Sequence, residues 1–316
     1  MTHKRFFHLL CGLALLMAAA MTMASCTKAN ASPDNTVTDK KADIRPNTPV
    51  VRMPEASGAS VLGQEPLIVD TSHTDQGYVM ARYTGTSEKA CVQILGGDGI
   101  KYKYFFPSSD NYVTMPLTAG DGSYTISIYE GISGDKYSAL GSDTIEVQLE
   151  NDYIPYLYPN QYVNFTPESQ AVAVAAETVK DVTSDLDAVA AVYHYVIETI
   201  SYDEEKAESV ASGYLPDLDK TLQSCKGICF DYASLMTAML RSQDIPAKLE
   251  IGYSGKIYHA WISVYIKDLG WIDNIIEFDG KTWKRMDPTF ASSNNNSKKI
   301  LKYIGDGNNY TVRYTR

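Results

Sequence analysis

The sequence predicts two folded parts of different class: a small all-β sandwich, then an α+β core with helices packed on an antiparallel sheet. Three observations carry the division. Short runs alternate apolar and polar residues up to about Glu150, helical spacing takes over after Asn151, and strand-like runs return from Lys248 onward. With 44% hydrophobic residues and 23 tyrosines in 316 residues, the chain can fill two cores.

Before those parts come two segments of another kind. His3, Lys4 and Arg5 precede an apolar run from Phe6 to about Ala20, which leads to Met23-Ala24-Ser25-Cys26. A basic start, a short apolar stretch and small residues before a cysteine describe an export signal over residues 1–25, too short for a comfortable membrane span. The four residues ending at Cys26 resemble a bacterial lipoprotein signal, with Met23 where Leu is usual and Ser25 where Gly or Ala is usual. That resemblance implies a lipid on Cys26 and attachment of the exported chain to a membrane. Residues 26–64, rich in Ser, Thr, Ala, Asp and Pro and without a hydrophobic period, are expected to form a disordered tether.

Residues 65–150 form the expected sandwich, of immunoglobulin-like type. Tyr78 to Tyr83, Ala90 to Leu95 and Ser123 to Tyr129 alternate with period two, and Gly96-Gly97-Asp98-Gly99 and Ala119-Gly120-Asp121-Gly122 supply turns. Cys91 lies within one strand and is expected as a buried core thiol.

Residues 151–316 form the expected α+β core. One helix is predicted from Ala171 to Val179. A second, from Leu186 to about Ile200, can be capped by Thr183 or Ser184, and Val189, Val192, Tyr193, Val196, Ile197 and Ile200 give it one apolar stripe. A loop is expected from Ser201 to about Thr221, a helix from Cys229 to Arg241, and strands at Lys248–Tyr253, Tyr258–Ile266 and Lys281–Met286.

The chemistry concentrates in this second part. Gly227-Ile228-Cys229 places a thiol at the start of a helix, where unpaired N–H groups and the positive dipole end favour a thiolate and can stabilise an oxyanion. His259 opens a strand on which Trp261, Ser263 and Tyr265 share its face, while Ala260, Ile262 and Val264 take the other. Asp287, before Pro288, closes a later strand, where it can orient an imidazole. Of the five cysteines, Cys11 is expected to leave with the signal and Cys26 to be acylated. The remaining Cys91, Cys225 and Cys229 are an odd set that argues for at least one free thiol. Cys225 precedes the turn and lacks the Gly-x spacing.

Gly227-Ile228-Cys229, His259-Ala260-Trp261 and Asp287-Pro288-Thr289, in that order, resemble the transglutaminase-like superfamily of papain-related thiol enzymes. Arg241 to Ala247 resembles the family's segment after the cysteine helix, with Asp244 in place of its usual Gly. The resemblance implies a Cys229, His259, Asp287 triad that attacks an amide carbonyl and passes through a thioester. For the oxyanion it implies Tyr202, with Gln223 as the alternative. Water as second nucleophile makes the protein a cysteine peptidase or amidase on peptide or isopeptide bonds, and a lysine amine makes it a protein-glutamine transglutaminase. A binding lipoprotein that keeps the fold without turnover is the third reading.

A formal charge of −10 with no basic cluster argues against nucleic acid as partner. No cofactor is expected. The cysteine and histidine spacings form no zinc site, and no Asp-x-Asp-x-Asp-Gly loop indicates calcium. The expected partners are a peptide or protein substrate and the membrane.

Overall fold

The computed structural model describes residues 44–254, 256–272 and 310–316. The export signal, Cys26, the first part of the tether, Asp287 and the strand expected at 281–286 lie outside the described residues.

The N-terminal half is a β-sandwich. Its strands are β1 (Val61–Gln64), β2 (Leu67–Asp70), β3 (Tyr78–Tyr83), β4 (Ala90–Leu95), β5 (Lys101–Phe106), β6 (Ser109–Pro116), β7 (Gly122–Ser133) and β8 (Lys136–Val147). They form two antiparallel sheets, ordered β1-β2-β3-β6 and β5-β4-β7-β8. Alternation decides what faces inward. In β5, Tyr102, Tyr104 and Phe106 are buried, while Lys101, Lys103 and Phe105 point out. These rings meet Val69, Val79, Ala81, Val92, Ile94 and Met115 from both sheets in one core. Cys91 is buried in β4, and burial pushes its thiol up to about 11.

The disordered tether is not borne out over residues 44–64. Arg45 bonds Asp185 at 2.6 Å and also donates to the carbonyl of Gln243, the Val50 N–H donates to Ser242 at 2.8 Å, and Arg52 pairs with Asp244 at 2.8 Å. β1 then opens the first sheet at Val61. Order here comes from polar contacts with residues far along the chain, which no local hydrophobic period can reveal.

The second half carries α1 (Gln170–Thr178), α2 (Asp185–Thr199), β9 (Ser201–Tyr202), α3 (Glu204–Ser209), α4 (Leu218–Ser224), β10 (Lys226–Gly227) and α5 (Cys229–Arg241). It continues with β11 (Ala247–Ser254), β12 (Ile257–Ile266), β13 (Gly270–Ile272) and β14 (Tyr310–Thr315). Of the two candidate caps of α2, Ser184 accepts the N–H of Asp187 at 3.1 Å. The loop expected at 201–221 is instead β9, α3 and the start of α4. Asp203 and Asp217 cap these two short helices by accepting the N–H groups of Lys206 and Lys220.

The antiparallel sheet runs β13-β12-β11-β14. α5 lies between it and α1, α2 and α4, and its residues from Asp231 to Arg241 are buried. A helix buried on every side makes a rigid mount for its first residue. Its far end is fixed by Arg241, which donates to the carbonyls of Tyr158 (2.6 Å), Ala247 (2.8 and 2.9 Å) and Arg316 (2.8 Å). Tyr162 and Tyr314 pack on both cores. Between them the Arg316 guanidinium lies 4.6 to 5.3 Å from the ring centroids of Tyr102, Tyr104, Tyr162 and Tyr314, and donates to the Tyr104 hydroxyl at 2.7 Å.

Candidate active site

The turn that presents Cys229 is built from both sides. Cys225 ends α4 in the left-handed region, at φ 52°. Lys226 and Gly227 then pair in parallel with Ser201 and Tyr202. The Cys225 carbonyl accepts the Ser201 N–H at 2.9 Å, and the Gly227 carbonyl accepts the Asp203 N–H at 3.0 Å. Ile228 is extended (ψ 175°), and α5 begins at the next residue. The glycine of Gly-x-Cys has a steric cause: a Cβ at Gly227 would stand 2.7 Å from Cβ of Asp231 and 3.2 Å from its carboxylate oxygen.

Cys229 is partly exposed and free of disulfide, as is the more exposed Cys225. Burial pushes the Cys229 thiol above its ordinary range. The N–H groups of Ala260 and Phe230, directed at the sulfur, pull the other way, and the nearby Asp231 carboxylate adds to the upward push. Of these N–H groups only that of Phe230 belongs to the helix end, the Ala260 N–H coming from β12, and desolvation outweighs both.

The Ala260 contact sets the sulfur against β12, one residue beyond His259. His259 is 3% exposed, and its ring is nearly parallel to that of Trp261 (27°, centroids 6.2 Å apart). The strand alternates as its sequence requires. Ala260, Ile262 and Val264 join the core around α5, and on the other face Ser263 donates to buried Glu250 at 2.6 Å. At Gly252, opposite His259 on β11, β14 comes so near that a Cβ would fall 2.0 Å from the Thr311 carbonyl oxygen.

Tyr202, beside Gly227 in the β9–β10 pair, is half-buried. Burial raises its phenol, and the charge of Cys229 raises it further, so phenol and thiol lie within electrostatic reach. Gln223, the other oxyanion candidate, is exposed on α4. Cys229 and Tyr202 thus both pack on the core cluster that contains Ala260, the residue after His259 on β12, and Asp287 lies outside the described residues. Among the described residues no group of three His, Cys, Asp or Glu side chains could hold a metal ion.

Sequence reasoning passed over Asp231, Lys206 and Tyr214. Asp231 is fully buried two residues past Cys229, and accepts from Ile228 N–H (2.8 Å), Lys206 Nζ (2.7 Å) and Tyr214 Oη (2.5 Å). An acidic side chain at the third position of a helix was the available signal. It is half of a capping box whose usual Ser or Thr partner is here Ile228.

Residues 172–274 match the model of the transglutaminase-like superfamily. The match takes in Cys229, His259 and Tyr202 and covers α2 to α5 and the strands β11 to β13, so the core has the transglutaminase-like fold. No curated protein matches the chain. Similar solved structures include a candidate cysteine protease from Cytophaga hutchinsonii, at 16% identity and TM-score 0.34, covering 82% of this chain and 74% of that one. A candidate protease from Parabacteroides distasonis follows at 11% and 0.28, covering 63% and 60%. Red sea bream transglutaminase stands at 12% and 0.25, covering 72% and 53%.

Proposed function

We propose that this chain is an exported, lipid-anchored cysteine hydrolase that cleaves peptide or isopeptide amides through Cys229, His259 and Asp287. The observation that carries the reading is the Cys229 sulfur, at the first turn of a buried helix, against the Ala260 N–H next to His259. The superfamily match over 172–274 supports it.

Burial disfavours the thiolate of Cys229, so the thiol proton leaves as the sulfur attacks. His259 is the base that takes it. Sγ bonds to the amide carbon, His259 returns that proton to the leaving amine as the C–N bond breaks, and a thioester remains. Water then adds and the C–S bond breaks, releasing the acid and the thiol. Tyr202 donates to the oxyanion in both steps, and Asp287 orients the imidazole. The lipid on Cys26 attaches the enzyme to a membrane.

The test offers purified protein a peptide library with and without primary amines, beside Cys229→Ala. Hydrolysed products that vanish in the variant support the reading. Amine-linked products would make the chain a transglutaminase, and no product in any arm would leave a binding protein. Detergent partitioning of wild type against Cys26→Ala tests the anchor, which fails if both remain in the aqueous phase.

A further inference from the structure

The carboxylate of Asp231 ties three separate elements to the turn before Cys229. Lys206 comes from α3, Tyr214 from the segment between α3 and α4, and the Ile228 N–H from the turn itself. Lys206 Nζ also donates to the Tyr214 hydroxyl at 2.7 Å, so the three side chains close a ring of hydrogen bonds. Tyr214 stands edge-on to Phe230, the residue after the nucleophile, at 6.3 Å between ring centroids. On their outer side Lys206 and Tyr214 line a cleft of about 390 Å³ with Asp203, Lys220 and Lys226.

An ion pair between buried Asp231 and the partly exposed Lys206 is weak ground for stability, because the cost of taking the carboxylate out of water offsets much of the attraction. A simple helix cap would need only one acceptor at the surface. What this ring supplies is geometry. Asp231 fills the space that Gly227 leaves open and holds the Ile228 peptide, and so fixes where α5 begins and where its first side chain points.

We propose that Asp231, held by Lys206 and Tyr214, is a positioning residue for the thiol: it sets the Gly227–Ile228 turn so that the Cys229 sulfur meets the Ala260 N–H beside His259. The proposal rests on the hydrolase reading for its consequence in turnover, but not for its consequence in thiol reactivity.

Two variants and two readouts test it on the full chain. Asp231→Asn is expected to lower kcat per folded molecule about 10- to 100-fold with KM nearly unchanged, the penalty of a misplaced nucleophile. Tyr214→Phe keeps the carboxylate and its bonds to Lys206 and Ile228, so it folds even where Asp231→Asn does not. It is expected to slow alkylation of Cys229 by iodoacetamide several-fold at fixed pH. A merely structural pair would lower Tm and leave both rates per folded molecule as in wild type, and that result overturns the proposal. Alkylation needs no substrate: wild type without Cys229-dependent turnover sinks the hydrolase reading alone, and the Tyr214→Phe rate still decides the positioning role.

Discussion

The sandwich and the helix–sheet core are both filled by tyrosine and aliphatic side chains, yet they treat polar groups differently. In the sandwich the buried polar side chains are Asp70, Thr71 and Thr114, and Asp70 serves a local turn by accepting from Gly58 and Ser72. In the second half Asp231, Arg241, Glu250 and His259 are buried among the elements that carry Cys229. Apolar packing alone stabilises a fold, whereas buried charge is tolerated where geometry has to be held. The contrast sets the half that carries the proposed site apart without reference to any motif.

Four measurements can break or sharpen that contrast. The largest effect belongs to Cys229→Ala, expected to lower amide cleavage by more than about 1,000-fold with Tm nearly unchanged. Residual cleavage within tenfold of wild type would remove the thiol from the chemistry. Next is Arg241→Ala, which takes the guanidinium donor from the carbonyls of Tyr158 and Ala247 in a sealed interior and leaves the Arg316 carbonyl with the Leu249 N–H. A loss of about 3–5 kcal/mol in urea unfolding is expected, and a loss under 1 kcal/mol would mean that water enters and replaces it. Ile94→Ala in the sandwich core is expected to remove about 2–4 kcal/mol while kcat of the remaining folded enzyme stays at the wild-type value. A matching fall in kcat would show that the two halves are coupled in function. Ser184→Ala, which removes the cap of α2, should cost about 1 kcal/mol, and denaturant unfolding without any shift would assign that bond no weight.

A pH measurement bears on the thiol itself. Because burial raises Cys229, the folded state favours the neutral thiol, and iodoacetamide labelling should climb with pH and reach half-maximum above the ordinary cysteine value of about 8.5. A midpoint below that value would show that His259 and the helix end hold a preformed thiolate.

How much of this was legible in the sequence varied with the range of the interactions. The three longer helices and the strands β11 and β12 were readable because their apolar residues repeat at the period of the element. The short helices α3 and α4 were not, since six or seven residues give no stripe, although Asp203 three before Lys206 and Asp217 three before Lys220 were cap signals in plain sight. The residues around Arg45 and Arg52 looked like a tether because their partners, Asp185 and Asp244, are remote in sequence. At the candidate site the residue types were readable, but the balance of forces on the thiol was not: desolvation depends on how deeply α5 is enclosed. Asp231 was missed for a related reason, since its partners Lys206 and Tyr214 come from a segment read as loop.

The strap formed by Arg45, Val50 and Arg52 fastens to Ser242, Gln243 and Asp244, just past the C-terminal end of α5. Mechanical load applied to the chain upstream of Arg45 would therefore arrive at the rear of α5 before it reached any sandwich strand. The first bonds to yield would be those of Arg45 with Asp185 and Gln243, which makes the strap a force-bearing clasp in series with the helix–sheet half of the molecule.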